Sequence, residues 1–176
     1  SFFLSIVNLA DGVIIRNNKA SSGKWGQIDP KANITPVGIE ISGKNVLVEG
    51  NVIQNFREGM HLMNIRDAHV RNNTMVNQAW MSIWRTGVSY GSNDGSNLTI
   101  ENNTIYNPHV TGLLFNGHSS GVIRNNNITL FGTAIEIQQG SAGALNGVAQ
   151  PGNKITRGSG SPSGAIGGNI NSNGPV

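Results

Sequence analysis

Cysteine is absent from the 176 residues, which excludes disulfides and thiolate metal sites. Charged side chains make up only 12% of the chain and aromatic ones 6%. So little charge does not suit a disordered, solvating chain. No apolar run approaches the ~20 residues of a membrane span, so membrane insertion is not expected. The net charge is a mild +3 and no Lys/Arg cluster runs to five or six residues, so nucleic acid is not the expected partner. The start, Ser-Phe-Phe, lacks an initiator Met and a signal-peptide pattern, and is expected to be the interior of a longer chain.

What the chain does have is glycine, at 24 residues, and asparagine, often in pairs. Five segments align without forcing: VIIRNNKA from Val13, VLVEGNVIQN from Val46, AHVRNNTMVN from Ala68, LTIENNTIYN from Leu98 and GVIRNNNITL from Gly121. A weaker sixth ends in GNKI around Asn153. The second turn residue is then Asn18, Asn51, Asn73, Asn103, Asn126 and Asn153, at spacings of 33, 22, 30, 23 and 27. The short spacings set a unit of 22–23 residues, and the longer ones add an insertion.

A second series lies between these: GIEI from Gly38, GMHL from Gly59, WMSI from Trp80, GLLF from Gly112 and AIEI from Ala134. Its inward apolar residues are expected to be Ile39, Met60, Met81, Leu113 and Ile135. Each unit therefore holds three short strands with one buried face, because apolar residues alternate with period two. Asn belongs in the two-residue turn because it tolerates left-handed dihedrals, and identical turns in successive coils can stack their amides in a ladder. One coil cannot bury its apolar face alone, so stacking makes the core. The expectation is an all-β chain, a right-handed single-stranded parallel β-helix of about six coils, spanning 1–176 as one domain. A leucine-rich repeat would need a leucine-dominated pattern, and a calcium-binding β-roll would need G-G-x-G-x-D; neither is present.

The units GIEISGKNVLVEGNVIQN, GMHLMNIRDAHVRNNTMVN and GLLFNGHSSGVIRNNNITL resemble the repeats of the pectate-lyase-like superfamily. The resemblance covers roughly residues 3–170. That superfamily holds lyases, uronate epimerases, polygalacturonase-like hydrolases and phage tailspikes. It implies a polysaccharide partner, a site on the outer face of the first-strand sheet, and an extracellular, cell-surface or virion location. This is an analogy from fold. A tailspike-like homotrimer, or cover by other parts of a longer chain, is expected where the outward face of the second sheet is apolar.

The outward row of the first sheet is expected to run Glu40, His61, Ser82, Leu114 and Glu136, and the next row Ser42, Met63, Trp84, Asn116 and Gln138. Glu40 and Glu136 would lie four coils, about 19 Å, apart. That is too far for a glycosidase pair, which needs roughly 5–9.5 Å. Glu58 can approach Glu40. Abstraction of a proton beside a uronate carboxylate needs a base and a neutralising cation. His61 is the candidate base, with Glu40 and Glu58 nearby; Arg57 or Arg85 is the clamp and Trp84 a stacking platform. The plainer reading is that Glu40 and His61 form a solvated cross-strand pair.

Residues 19–37 and 85–97 read as inserted loops, with Trp25 and Tyr90 as candidate sugar-stacking residues. Both can equally anchor their loops. Asp94 is a lone acid in a turn-like loop, and His109 and His118 read as turn residues. No acidic cluster suits calcium, which takes about 6–8 oxygen ligands. Neither a metal nor another cofactor is expected. The sequons at Asn33, Asn72, Asn97, Asn102 and Asn127 are expected by chance in an Asn-rich repeat. The outward row of the second sheet, Ile14, Leu47, His69, Thr99 and Val122, is largely apolar and suggests a partner surface.

Overall fold

A computed structural model describes residues 2–22, 37–78, 81–86, 97–106, 111–115, 120–130, 133–137 and 152–157. Among them every regular element is a strand, and every strand pairing is parallel. The first coil carries β1 (Phe2–Asp11), β2 (Ile14–Arg16) and β3 (Lys19–Ser21). In the second and third coils the first two strands merge, giving β4 (Val37–Glu49) with β5 (Val52–Gln54), then β6 (Glu58–Arg71) with β7 (Thr74–Val76). The fourth coil has β8 (Met81–Thr86), β9 (Leu98–Glu101) and β10 (Thr104–Tyr106). The fifth has β11 (Thr111–Phe115), β12 (Gly121–Arg124) and β13 (Asn127–Leu130). The sixth contributes β14 (Thr133–Ile137) and β15 (Lys154–Arg157).

Strand order follows chain order. One sheet runs β1-β4-β6-β8-β11-β14, with β2, β9 and β12 joined to it beside the second halves of β4 and β6; the other runs β3-β5-β7-β10-β13-β15. Each strand thus pairs with its counterpart one coil away, as in a helical winding. Inward rows stack Ile, Val, Leu and Met into one core: Val48, Val70, Ile100 and Ile123 in one row, Ile53, Met75, Ile105 and Ile128 in another. Only stacking removes these faces from water.

The paired-Asn turn divides its labour between its two positions. The first residue takes the left-handed conformation: Asn17 (φ 58°), Gly50 (66°), Asn72 (55°), Asn102 (55°), Asn125 (55°) and Gly152 (110°). Asn and Gly accept it at least cost. The second residue points its amide along the stack. From Asn18 through Asn51, Asn73, Asn103 and Asn126 to Asn153, each backbone N–H and each Nδ2 donates to the Oδ1 of the next coil at 2.9–3.0 Å. The Nδ2 groups of Asn51, Asn73, Asn103, Asn126 and Asn153 also donate to a carbonyl of the preceding coil, as Asn73 does to Val48. Asn51, Asn73, Asn103 and Asn126 are buried, and their hydrogen bonds offset the cost of burying amides.

The expected register fails in one place. The inward row is Ile39, Met60, Ile83, Leu113 and Ile135, with Ile83 in place of Met81. The turn from Val76 to Met81 is one residue longer than that from Gln54 to Glu58. A slip of two residues keeps every side chain on the same face, so alternation cannot detect it. Ser82 accordingly leaves the outer row; it is buried, and its Oγ donates to Gln78 Oε1 at 3.1 Å. Its neighbouring position on β6 is Gly59, where an added Cβ would lie 2.5 Å from the Ser82 carbonyl oxygen. That close backbone approach explains the glycine that opens the first-strand motif.

Candidate functional site

The corrected register redraws the row through Glu40 and His61 on the first sheet. It runs Ser5, Glu40, His61, Trp84, Leu114 and Glu136. Trp84 thus stands one coil from His61 in the same row, not in the row beyond. Thr86 takes the register position next to Met63 that Trp84 was expected to fill. Glu40 and Glu136 remain four strand steps apart, about 19 Å. Arg85 pairs in register with Leu62 and Phe115, which are both fully buried, rather than with the row of His61. Ser42 and Leu114, expected outward, are buried at 5% and 6% exposure. Trp25 and Tyr90 lie outside the described residues, as do Asp94, His109, His118 and most of both inserted loops.

Glu58 begins β6 rather than sitting in the preceding turn, and only 2% of it is exposed. Its Oε2 lies 3.9 Å from His61 Nδ1. Burial pushes the Glu58 carboxyl up to about 7; nearby Arg57 opposes this and Glu40 adds to it. Burial also holds His61 down, at about 4. Glu40, in register with His61 on the neighbouring strand, is half-buried and is raised as well, again by burial. Near neutral pH the contact is therefore between a partly protonated carboxyl and a neutral imidazole, not a full ion pair. Arg57 is half-buried in the turn just ahead of β6.

The structure thus brings Glu40, Arg57, Glu58 and His61 into one neighbourhood, with the Trp84 backbone alongside. Two groups of opposite type thus have their titrations pushed past each other by burial. Glu58 is too buried to meet a polymer. Among the described residues no group of three His, Asp or Glu side chains could hold a metal ion.

The concavity of the described surface lies elsewhere. A groove of about 730 Å³ runs over the second strands, lined by Asn45, Leu47, Asp67, His69, Thr99 and Val122 among others. The outer row Ile14, Leu47, His69, Thr99 and Val122 stacks in the expected register. The sequence marked that row as a surface but not as a groove. Its corner residues Asn45, Asp67 and Asn97 are all left-handed; the first two were not singled out, and Asn97 only as a sequon. Their recurrence just before each second strand was the available signal.

The stacked coils, the single stacked core and the internal amide ladder define a parallel β-helix with an ionisable cluster on one outer face. The profile of the right handed beta helix region family matches residues 5–144. The chain belongs to this family, and its winding is right-handed. Its parallel strands fit the pectate-lyase-like superfamily. No curated protein and no solved structure matches the chain.

Proposed function

We propose that this β-helix binds an acidic polysaccharide across the outer face of its first-strand sheet and removes a sugar-ring proton there, as a lyase or epimerase. The observation that carries this reading is the Glu58–His61 contact beneath the row that also holds Glu40 and Trp84. Neutral His61 serves as the base. With Nδ1 turned toward Glu58, Nε2 is assigned to the proton beside the uronate carboxylate. Arg57 supplies positive charge against the enolate-like anion that develops, where a low-dielectric site makes such stabilisation largest. Glu58 acts as a positioning residue.

A panel of uronate polymers tests the reading. A lyase releases 4,5-unsaturated ends that absorb in the ultraviolet, and an epimerase changes the epimer ratio. His61→Ala is expected to abolish either product while the melting transition persists. Unchanged turnover would remove His61 from the mechanism, and an inert wild-type chain would remove the enzyme reading.

The second reading is a non-catalytic structural or receptor-binding element of a viral spike or surface fibre. It draws on Phe3, Val7 and Ile14, exposed at 49%, 40% and 62%. It predicts a homotrimer in solution, and a monomeric mass for the full chain counts against it.

A further inference from the structure

We propose that the groove on the second-strand sheet is a separate binding site for a neutral oligosaccharide, extended across the coils. The site does not depend on the chemistry proposed at His61.

Its floor is the row Leu47, His69, Thr99 and Val122, one residue from each of four consecutive coils. Three strand spacings make it about 14 Å long. The step between neighbouring floor residues is close to the rise of one sugar in an extended glycan. A chain lying along the helix axis would therefore meet the same kind of contact at each ring. Leu47 and Val122 offer apolar surface for the C–H face of a pyranose, and the His69 ring and Thr99 sit between them. Asn45, Asp67 and Asn97 line the corner and offer amide and carboxylate groups to ring hydroxyls. An apolar floor with a few convergent polar groups is the usual make-up of a small-ligand site, and the volume falls within the usual range.

Charge selects the class of ligand. The edge of the groove carries the row Arg16, Glu49, Arg71, Glu101 and Arg124, in register and alternating in sign. Arg71 Nε donates to Glu49 Oε1 at 2.8 Å, and Arg124 Nε to Glu101 Oε2 at 2.8 Å. At the opposite edge Asp67 Oδ1 accepts from Asn97 Nδ2 at 2.9 Å. Asp11 accepts from Asn45 Nδ2 at 2.8 Å and pairs with Lys44 at 2.9 Å. Over the four coils that the groove spans, Arg71 and Arg124 are thus each paired with a carboxylate, Lys44 is held by Asp11, and Asp67 keeps its negative charge. A polyanion would have to break these pairs to find a cation, whereas an uncharged, hydroxyl-rich ligand leaves them in place.

The test is titration calorimetry of the full chain with β-1,4-linked glucose and mannose hexamers, with uronate hexamers in parallel. Saturable binding of a neutral hexamer, little changed between low and high salt, is the expected result. His69→Ala and Thr99→Lys each lie on the outer face and should weaken it by about tenfold, one decade in the dissociation constant. Tyr106→Ala, on β10 of the other sheet, should leave it unchanged. No binding of either neutral hexamer would overturn the proposal, as would preferential, salt-sensitive binding of the uronate. Sedimentation provides the other arm. A dimer or trimer dispersed by Thr99→Lys would assign the groove to a second copy of the chain and overturn the glycan.

Discussion

Asn73 makes the strongest case for a residue that cannot be replaced. Its Oδ1 accepts both the backbone N–H and the Nδ2 of Asn51, and its Nδ2 serves Val48 and Asn103. Asn73→Ala leaves buried donors and acceptors on both neighbouring coils without partners, at about 3 kcal/mol in a denaturant titration. Asn72→Ala, in the exposed left-handed position one residue earlier, loses conformational fit only and should cost about 1 kcal/mol. Equal costs for the two would refute the division of labour within the turn. Glu58 and His61 set a second test at this scale, in pH. The Glu58 carboxyl stands at about 7 in the folded chain against 4.5 unfolded, so the stability it confers is complete below 4.5 and is lost as pH rises through 7. His61 stands at about 4 against 6.5, so its contribution is present above 6.5 and lost as pH falls through 4. Between 4.5 and 6.5 the two slopes oppose and largely cancel. Glu58→Gln removes one of them. Its stability should then rise with pH across that window, by up to about 1.4 kcal/mol per pH unit. A flat profile in the variant would show that His61 titrates normally.

Strand register is held by more than the core. The alternating row Arg16, Glu49, Arg71, Glu101 and Arg124 favours only the pairing in which unlike charges meet across each step. Arg71→Glu would place three carboxylates in succession. The expected cost is about 1 kcal/mol or less, given that Arg71 is 39% exposed, and it should shrink in high salt. A cost independent of salt would mean the Arg71 stem matters more than its charge. The first-strand elements lack such a guide. The step from β6 to β8 is where the register departs by two residues from the expected one: the longer turn supplies one, and the extra residue of β6 opposite Ser42 and Gly43 supplies the other. It also carried Trp84 into line with His61.

The whole molecule is a stack in which each coil touches mainly its neighbours, so stability is expected to vary along the axis. Amides that are both buried and bonded from two sides should open last. Hydrogen exchange is expected to be slowest at Asn51, Asn73 and Asn103, and faster along β1 and β15, which have paired strands on one side only among the described residues. Uniform protection would indicate a single cooperative unit instead. Two parts of one scaffold then differ: an ionisable cluster at Glu40, Glu58 and His61, and a groove over Leu47, His69 and Thr99 whose edge arginines are paired.

The architecture was legible from the recurring Asn pair. Its positions, 18, 51, 73, 103, 126 and 153, are those of the ladder, because a turn that must be left-handed at one residue and hydrogen-bonded at the next tolerates few residue types. The second-sheet row was legible for a related reason, since it is counted from that fixed turn. The sequence by itself therefore determined the coil, its period and most of its faces. The tertiary structure alone decided how β8 docks, because period-two alternation is unchanged by a shift of two. It alone decided the burial of Glu58 and the state of His61, because desolvation depends on what packs over a carboxyl and not on its neighbours in the chain. The hollow over the second strands belongs with these, since residues from successive coils line it and no single coil contains it.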